Sequence, residues 1–547
     1  MVGGAAVVGD GVRTGAGGAG TAALAGAAAT VLLCAGCSPE PPGQDGPFAG
    51  QEVDWRTCYD GRQVGELAGW GADPDWLETL ECGTVTVPLD HDRPDGTVVD
   101  IALIRAPATG PAEERLGSLV LNPGGPGVSG IEMLDFPFFG DDVRAAFDLV
   151  SFDPRGVGES GGFACGDVYV MDDALRRVAD TDPADLTDVE LRPLEDAARR
   201  YAESCTETVG EEFLAHLGTV NVVRDLDVIR DALGDERLSF VGYSYGTHIG
   251  ALYAEMFPRR TRALVLDGAV ETELSNAGIA LDQVAAYQNT WDMFVAHCTA
   301  EVERCPFAGP ASGGGNGSDA RMGELMAGLD RDPAEAEGVP VDGDTLLRMI
   351  GMELYHEESW DYLAELLAAL DAGDGEGTAR RLGELYGNTF GKYKDVDPED
   401  VDPRAEHQDA NAVFTAVNCA DRADPDDVAA YRDAADRADV LSPLFGPELV
   451  WEQLPCAYWP ESEEAPTGFT APDAPPIVVI GTVGDPATPY AWAEELAGQL
   501  ETGVLVTYEG AGHTLYGKGR SDCVDGPVDA YLLTGEAPRP GLTCPRT

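Results

Sequence analysis

The chain has 547 residues, 97 of them acidic and 35 basic, for a net charge of −62, and 44% are hydrophobic. This length exceeds one small domain and suits two that pack intimately, with apolar residues enough for a large core. The charge excludes nucleic acid as a partner, because phosphates would be repelled; lysine occurs only at Lys392, Lys394 and Lys518. The acidity reads as solubility rather than as steering of cationic substrates, since a Debye length of about 8 Å screens such fields at physiological salt.

At the N-terminus, Arg13 precedes a small-residue apolar run, AGTAALAGAAATVLLCAGC, that ends at Cys37. A basic start, a short apolar stretch and small residues at its end predict a secretory signal. The run resembles a bacterial lipoprotein signal, in which the cysteine carries lipid and becomes the mature N-terminus, although Cys34 stands where that pattern prefers Leu, Val or Ile. Residues 1–37 are therefore expected to be the signal, with Cys37 the lipidation site, and 38–50 a flexible tether built on SPEPPGQDG. A spanning helix is disfavoured, since the run is rich in Gly and Ala and polar residues follow at once. The protein is thus expected to be exported, secreted or on the cell surface, and to meet a membrane only through that lipid. Ten cysteines remain: Cys58, Cys82, Cys165, Cys205, Cys298, Cys305, Cys419, Cys456, Cys523 and Cys544. An even set in an exported chain predicts disulfides, here between sequence neighbours and foremost Cys298–Cys305. With no CxxC pair in the mature chain, zinc is not expected.

Next, CGTVTVPLD and GTVVDIALIRA flank HDRPDG, alternating apolar segments around a Pro-Asp-Gly turn, which predicts a β-hairpin. Short unalternating apolar runs follow, each ending in Gly or Asp: GSLVLNPGGPG, FDLVSFDPRGVG, LSFVGYS, RALVLDG, PPIVVIGTVGD and GVLVTYEGAGH. Runs of this kind suit strands covered on both faces. Helical patterns lie between them, such as NVVRDLDVIRDALG, so the sheet is expected to be mostly parallel with helices on both faces. From 271 to 441 acidic, helix-like segments dominate; this stretch is read as a helical cap inserted between the core halves 51–270 and 442–547. PFAGPASGGGNGSDA and KDVDPEDVDPRAEHQD within it read as loops.

Two serines sit in G-x-S-x-G. Gly158-Glu-Ser160-Gly-Gly162 is one residue from the trypsin-like GDSGG, and FVAHCTA around His297 completes the imitation. The order is wrong for that class, which runs His, Asp, Ser, and β/α alternation contradicts a double β-barrel. Gly242-Tyr-Ser244-Tyr-Gly246 follows the apolar LSFV and precedes THIGALYAEMF, which has helical spacing. A strand, a sharp turn needing small flanking residues and a helix make a nucleophile elbow, so Ser244 is the predicted nucleophile. The N–H groups of Tyr245 and of Gly125, in LNPGGPG after an earlier strand, are the expected oxyanion donors. His513 in YEGAGHTLY, just beyond the last strand-like run, is the expected base; His248 would ride away on the elbow helix. Asp485 in VIGTVGDPATP is preferred as the acid over Asp267 in LVLDG, which is expected to stabilise the sheet edge or shape the cap junction.

NPGGPG, DPRGVGES, GYSYGT, GDPATP and GHT, in this order, resemble the exported bacterial α/β-hydrolase peptidases, namely the tripeptidyl aminopeptidases and the related proline iminopeptidases. Asn122 departs from the His that iminopeptidases usually carry before Gly-Gly-Pro-Gly and leans towards the tripeptidyl branch. The resemblance implies an α/β-hydrolase fold with an inserted cap. It also implies a serine exopeptidase that takes tripeptides or single residues from free N-termini, with peptides as partners and no metal or organic cofactor. A carboxylesterase or lipase-like hydrolase would use the same three residues, and a catalytically silent surface binding protein is the reading from outside enzymology.

Overall fold

The computed structural model describes residues 48–166, 169–178, 181–300, 305, 316–336, 339–390, 403–460 and 466–547. The expected signal, Cys37 and nearly all of the expected tether lie outside the described residues. Strands β1 (Arg56–Thr57), β2 (Glu81–Pro88), β3 (Val98–Ala106), β4 (Gly117–Asn122), β5 (Phe147–Phe152), β6 (Leu238–Tyr243), β7 (Thr261–Asp267), β10 (Ile477–Gly484), β11 (Gly503–Ala511) and β12 (Leu542–Cys544) form one sheet. Between β7 and β10, β8 (Ala334–Ala336) and β9 (Val339–Val341) make a separate antiparallel pair. The large sheet runs β1-β2-β3-β5-β4-β6-β7-β10-β11-β12. From β5 to β12 every pairing is parallel, while β1, β2 and β3 join antiparallel at one edge.

The hairpin expected around HDRPDG is β2 against β3, in register from Glu81↔Arg105 to Pro88↔Val98. The central strands bury both faces. In β6, Leu238 and Phe240 join one core and Val241 and Tyr243 the other. β7 does the same with Leu264 and Leu266 against Ala263 and Val265, as does β10 with Ile477 and Val479 against Val478 and Ile480. That period of two explains why these runs show no polar alternation: both faces are dry. Helices α1 (Thr219–Ala232) and α2 (Gly246–Met256) cover the first face. Val524, Val528, Tyr531 and Leu532, on a helix near the C-terminus, cover the second.

Between β7 and β10 the described residues are mostly helical. They begin with α3 (Asn276–Thr299) and include α4 (Pro403–Asp421). Trp291, Phe294, Leu346, Ile350, Trp360 and Leu363 form an apolar cluster of their own there, whereas Ala412, Val413, Ala416 and Val417 of α4 pack into the core of the sheet. Among the described residues, five disulfides join sequence neighbours: Cys58–Cys82, Cys165–Cys205, Cys298–Cys305, Cys419–Cys456 and Cys523–Cys544. No described helix is long and apolar enough to cross a membrane.

Three short strand features and two helix starts depart from the sequence expectation. β1, β12 and the β8/β9 pair have only two or three residues each, too few to show a period. α4 starts at Pro403, inside the acidic stretch read as a loop, where proline's fixed φ suits a first helical turn. A helix at Asn316–Arg331 likewise starts inside the Gly-rich stretch read as a loop.

Candidate active site

β6 stops at Tyr243 and α2 starts at Gly246, so Ser244 and Tyr245 make the whole turn. Ser244 has φ +53°, a left-handed conformation that costs a non-glycine residue about 1–2 kcal/mol. Its N–H donates to the Asp267 carbonyl at 2.9 Å. Its own carbonyl accepts from the Thr247 N–H at 2.8 Å and from Thr247 Oγ1 at 2.6 Å.

The flanking glycines are steric necessities. A Cβ on Gly242 would lie 2.2 Å from the Gly246 carbonyl oxygen, and one on Gly246 would lie 2.8 Å from the Asn122 carbonyl oxygen. A Cβ on Gly124 would lie 2.4 Å from the Tyr243 oxygen and 2.9 Å from Ser244 Cβ. The turn and the loop after β4 therefore meet backbone to backbone. The two tyrosines around the serine are tied on opposite faces of the sheet. Tyr243 Oη donates to the Tyr516 carbonyl at 3.0 Å, and Tyr245 Oη hydrogen-bonds to Thr219 Oγ1.

In the loop after β4, the Oδ1 of fully buried Asn122 accepts the Gly124 N–H at 3.0 Å. Among the described residues, the N–H groups of Gly125 and Tyr245 donate to no other protein group. Gly127 then packs on α4, where a Cβ would lie 2.8 Å from the Ala410 carbonyl oxygen and 3.3 Å from the Phe414 nitrogen.

Asp485 follows β10, next in the sheet to β7. Its carboxylate is fully engaged: Oδ1 accepts from the N–H groups of Ala487 at 2.9 Å and Thr488 at 2.8 Å, and Oδ2 accepts from Thr488 Oγ1 at 2.8 Å. His513, after β11, places Nδ1 3.0 Å from both carboxylate oxygens and 3.3 Å from Thr488 Oγ1. Asp485 is buried and the imidazole nearly so, 12% exposed. An imidazole held this way keeps Nδ1–H on the carboxylate and leaves Nε2 to take a proton from a hydroxyl.

Asp267 links the segment that carries the serine to the segment that carries the histidine. The Asp267 carbonyl holds the Ser244 N–H, while its buried carboxylate accepts the N–H groups of Leu515 at 2.7 Å and Tyr516 at 2.8 Å, two and three residues past His513. Asp267 was expected at the sheet edge or the cap junction; its side chain instead fixes the loop that carries the imidazole. Burial raises its pKa. A Cβ on Gly268 would lie 2.9 Å from Thr488 Oγ1 and 3.1 Å from Thr514 Cγ2, so a side chain there would displace Thr488 and crowd Thr514, while touching His513 Cε1 at an ordinary 3.4 Å.

Two more residues brace that loop. The Tyr355 carbonyl accepts the His513 N–H at 2.9 Å, and its ring stands edge-on to the imidazole, centroids 5.0 Å apart. Lys518 Nζ donates to Thr514 Oγ1 at 2.5 Å, holding a residue that itself has φ +55°. Sequence reasoning missed Thr488, Tyr355 and Lys518. An Asp-x-x-Thr turn could have pointed to Thr488; nothing local marks the other two.

The rival residues are engaged elsewhere. Ser160 is buried, its hydroxyl donating to the Asp153 carbonyl at 2.7 Å and accepting the Ala102 N–H at 2.9 Å. His248 is buried in α2, where desolvation lowers its pKa to about 3. His91 pairs with Asp225 at 2.8 Å and His297 with Asp361 at 3.1 Å. Among the described residues no His, Cys, Asp or Glu cluster could hold a metal ion.

A mostly parallel sheet with a serine at a left-handed strand-to-helix turn defines the class: the protein is a serine hydrolase of the α/β-hydrolase fold. A family model described as TAP-like protein matches residues 442–544. The chain is 34% identical to serine protease Hip1 of Mycobacterium tuberculosis over 94% of its length and 96% of that protein's. It is 31% identical to the tripeptidyl aminopeptidase of Streptomyces lividans, over 90% and 86% of the two chains. Carboxylesterase B of Mycobacterium tuberculosis is 35% identical, over 93% and 94%. The chain belongs to this tripeptidyl aminopeptidase-like family of α/β hydrolases.

Two outcomes follow from the geometry. Ser244→Gly should gain about 1 kcal/mol in urea unfolding by relieving the left-handed turn; a lower midpoint would mean that the serine is not strained. His248 is neutral in the fold and takes up a proton on unfolding below its ordinary value of 6.5. The fold should therefore lose about 1.4 kcal/mol per pH unit from this residue as the pH falls from 6.5 towards 3. In His248→Gln that component disappears, so the urea midpoint should fall less between pH 6.5 and 4.5 than it does in the parent.

Proposed function

We propose that this protein is an exported exopeptidase that removes tripeptides or single residues from free N-termini through an acyl-enzyme on Ser244. His513 takes the proton from Ser244 Oγ as the oxygen attacks the scissile carbonyl. Asp485 holds the imidazole tautomer and stabilises the imidazolium. The N–H groups of Gly125 and Tyr245 receive the oxyanion; one such donor is worth about 3–4 kcal/mol in the transition state. The imidazolium returns its proton to the leaving amine, and water then releases the acyl group by the same steps in reverse.

The observation that carries this reading is the double grip of Asp267. Its carbonyl holds the serine, its carboxylate holds the loop of the histidine, and that histidine rests on Asp485. The preference for peptide ends draws support from the helical stretch 271–441, read as a cap. It meets the site from two directions, through Tyr355 at the imidazole and through Ala410 and Phe414 at the loop after β4. Such an enclosure admits a chain terminus more readily than the middle of a folded chain. The relatives named as a serine protease and a tripeptidyl aminopeptidase point the same way. The five disulfides suit an oxidising compartment, in keeping with residues 1–37 as a signal and Cys37 as a lipid site.

A carboxylesterase is the second reading, favoured by the relative named carboxylesterase B. A fluorophosphonate probe should label Ser244 in the parent. Tripeptidyl and aminoacyl amides with free amines should then turn over faster than their N-blocked forms and faster than short-acyl esters. Turnover of the esters alone would leave the esterase, and absence of labelling in folded protein would remove both readings. Asp485→Asn should lower kcat by about 10⁴-fold, the loss typical of a triad acid.

A further inference from the structure

We propose that Asp421, the last residue of α4, is a positioning residue for the turn at Ser244, holding the Tyr245 side chain through Thr219 so that the Tyr245 N–H stays aimed at the oxyanion. This rests on the reading of Ser244 as nucleophile and Tyr245 as oxyanion donor.

Hydrogen-bond directions define the chain. Thr219 Oγ1 has one proton and donates it to Asp421 Oδ2 at 2.5 Å. Its bond to Tyr245 Oη can then only be one in which it accepts from the phenol. The Thr219 N–H, first in α1, donates to Asp421 Oδ1 at 2.7 Å. Both oxygens of one carboxylate thus serve Thr219, and the hydroxyl of Thr219 serves Tyr245. All three side chains are buried, so no water competes for these bonds.

The segment that carries the carboxylate is held at three points. The Cys419–Cys456 disulfide lies two residues before Asp421. Arg422, directly after it, donates to the carbonyls of Leu274 at 2.9 Å and Glu271 at 2.7 Å. Asn276 Nδ2 donates to the Asn418 carbonyl at 3.0 Å. A clamped segment therefore reaches a strained turn. Merely capping the N-terminus of α1 would need one carboxylate oxygen on an N–H. The second oxygen is used on the single hydroxyl that binds the residue next to Ser244. Tyr245 needs such a tether because its N–H works only if the peptide plane after a left-handed serine keeps its tilt, and a hydroxyl fixed at the far end of the ring resists rotation of that plane. The ring also stands edge-on to His248, centroids 6.1 Å apart, which restricts it laterally but not along its length.

The test uses Asp421→Asn, Tyr245→Phe, Thr219→Val and Thr219→Ser in the full chain. Its readouts are kcat and KM on a substrate that the parent turns over, and the rate of fluorophosphonate labelling at Ser244. Asp421→Asn, Tyr245→Phe and Thr219→Val should each lower kcat about tenfold with KM nearly unchanged, because the oxyanion exists only in the transition state. Labelling should slow in parallel. The double variant Tyr245→Phe/Asp421→Asn should be no slower than its worse single parent, since both cut one chain. Thr219→Ser keeps the hydroxyl and should restore kcat. Parent-like kcat in Tyr245→Phe and Asp421→Asn, or losses that multiply in the double variant, would overturn the positioning role. If Asp421→Asn does not fold, Tyr245→Phe and Thr219→Val decide it alone. A parent unlabelled at Ser244 would overturn the reading beneath as well, whereas a labelled parent with unchanged variants overturns the positioning role only.

Discussion

Asp267 grips two chain segments that are 269 residues apart in sequence, 244 and 513. Its carbonyl accepts the Ser244 N–H in the pairing of β6 with β7, and its carboxylate accepts two N–H groups just past His513. An uncompensated buried carboxylate is costly, and here Oδ2 takes both N–H groups of the histidine loop while Oδ1 is buried without a hydrogen-bond partner among the described residues. The loop after β11 is thereby committed to a position beside the turn at Ser244. Gly268, the next residue, lacks the Cβ that would clash with Thr488 Oγ1, which lies 3.3 Å from His513 Nδ1.

Strain at the turn is distributed rather than relieved. Ser244 and Thr514 both hold left-handed backbone conformations, one beside each end of the prospective proton path. Such conformations persist where the surroundings over-determine them. Around Ser244 these are the hydrogen bonds from Thr247, the backbone contacts at Gly124 and Gly246, and the tyrosine hydroxyls anchored in opposite cores. Around Thr514 they are the Asp267 carboxylate and Lys518. The sheet acts as the common reference, because β4, β6, β7, β10 and β11 are adjacent and parallel and deliver their loops to one edge. Open parallel sheets place ligands at that edge for this reason.

The helical stretch between β7 and β10 does more than cover that edge. Tyr355 supplies a carbonyl and a ring to His513, Ala410 and Phe414 back the loop after β4, and Asp421 reaches Thr219 beneath the turn. The stretch is tied to the sheet by buried alanines and valines of α4, and the Cys419–Cys456 bridge braces it internally. Movement of this stretch would be felt at the imidazole and at the turn together, which couples whatever it encloses to the chemistry below.

Much of this was legible in the residues. Unalternating Val/Leu/Ile runs ending in Gly or Asp identified a parallel sheet dry on both faces, and the disulfides joined neighbours because each pair closes a local excursion. Gly242 and Gly246 announced a tight turn, because only glycine tolerates backbone at 2.2–2.8 Å from its Cβ position. The sequence could not say what those glycines avoid. That Gly246 faces Asn122, that Asp267 turns its carboxylate to residues 515 and 516, and that Tyr355, Lys518 and Asp421 converge on the site are facts of contact between distant segments. Local pattern records periodicity, turn chemistry and residue size, all of which act over a few residues. Which buried polar group satisfies which is settled only when the packed chain excludes water from both, and that pairing belongs to the tertiary structure alone.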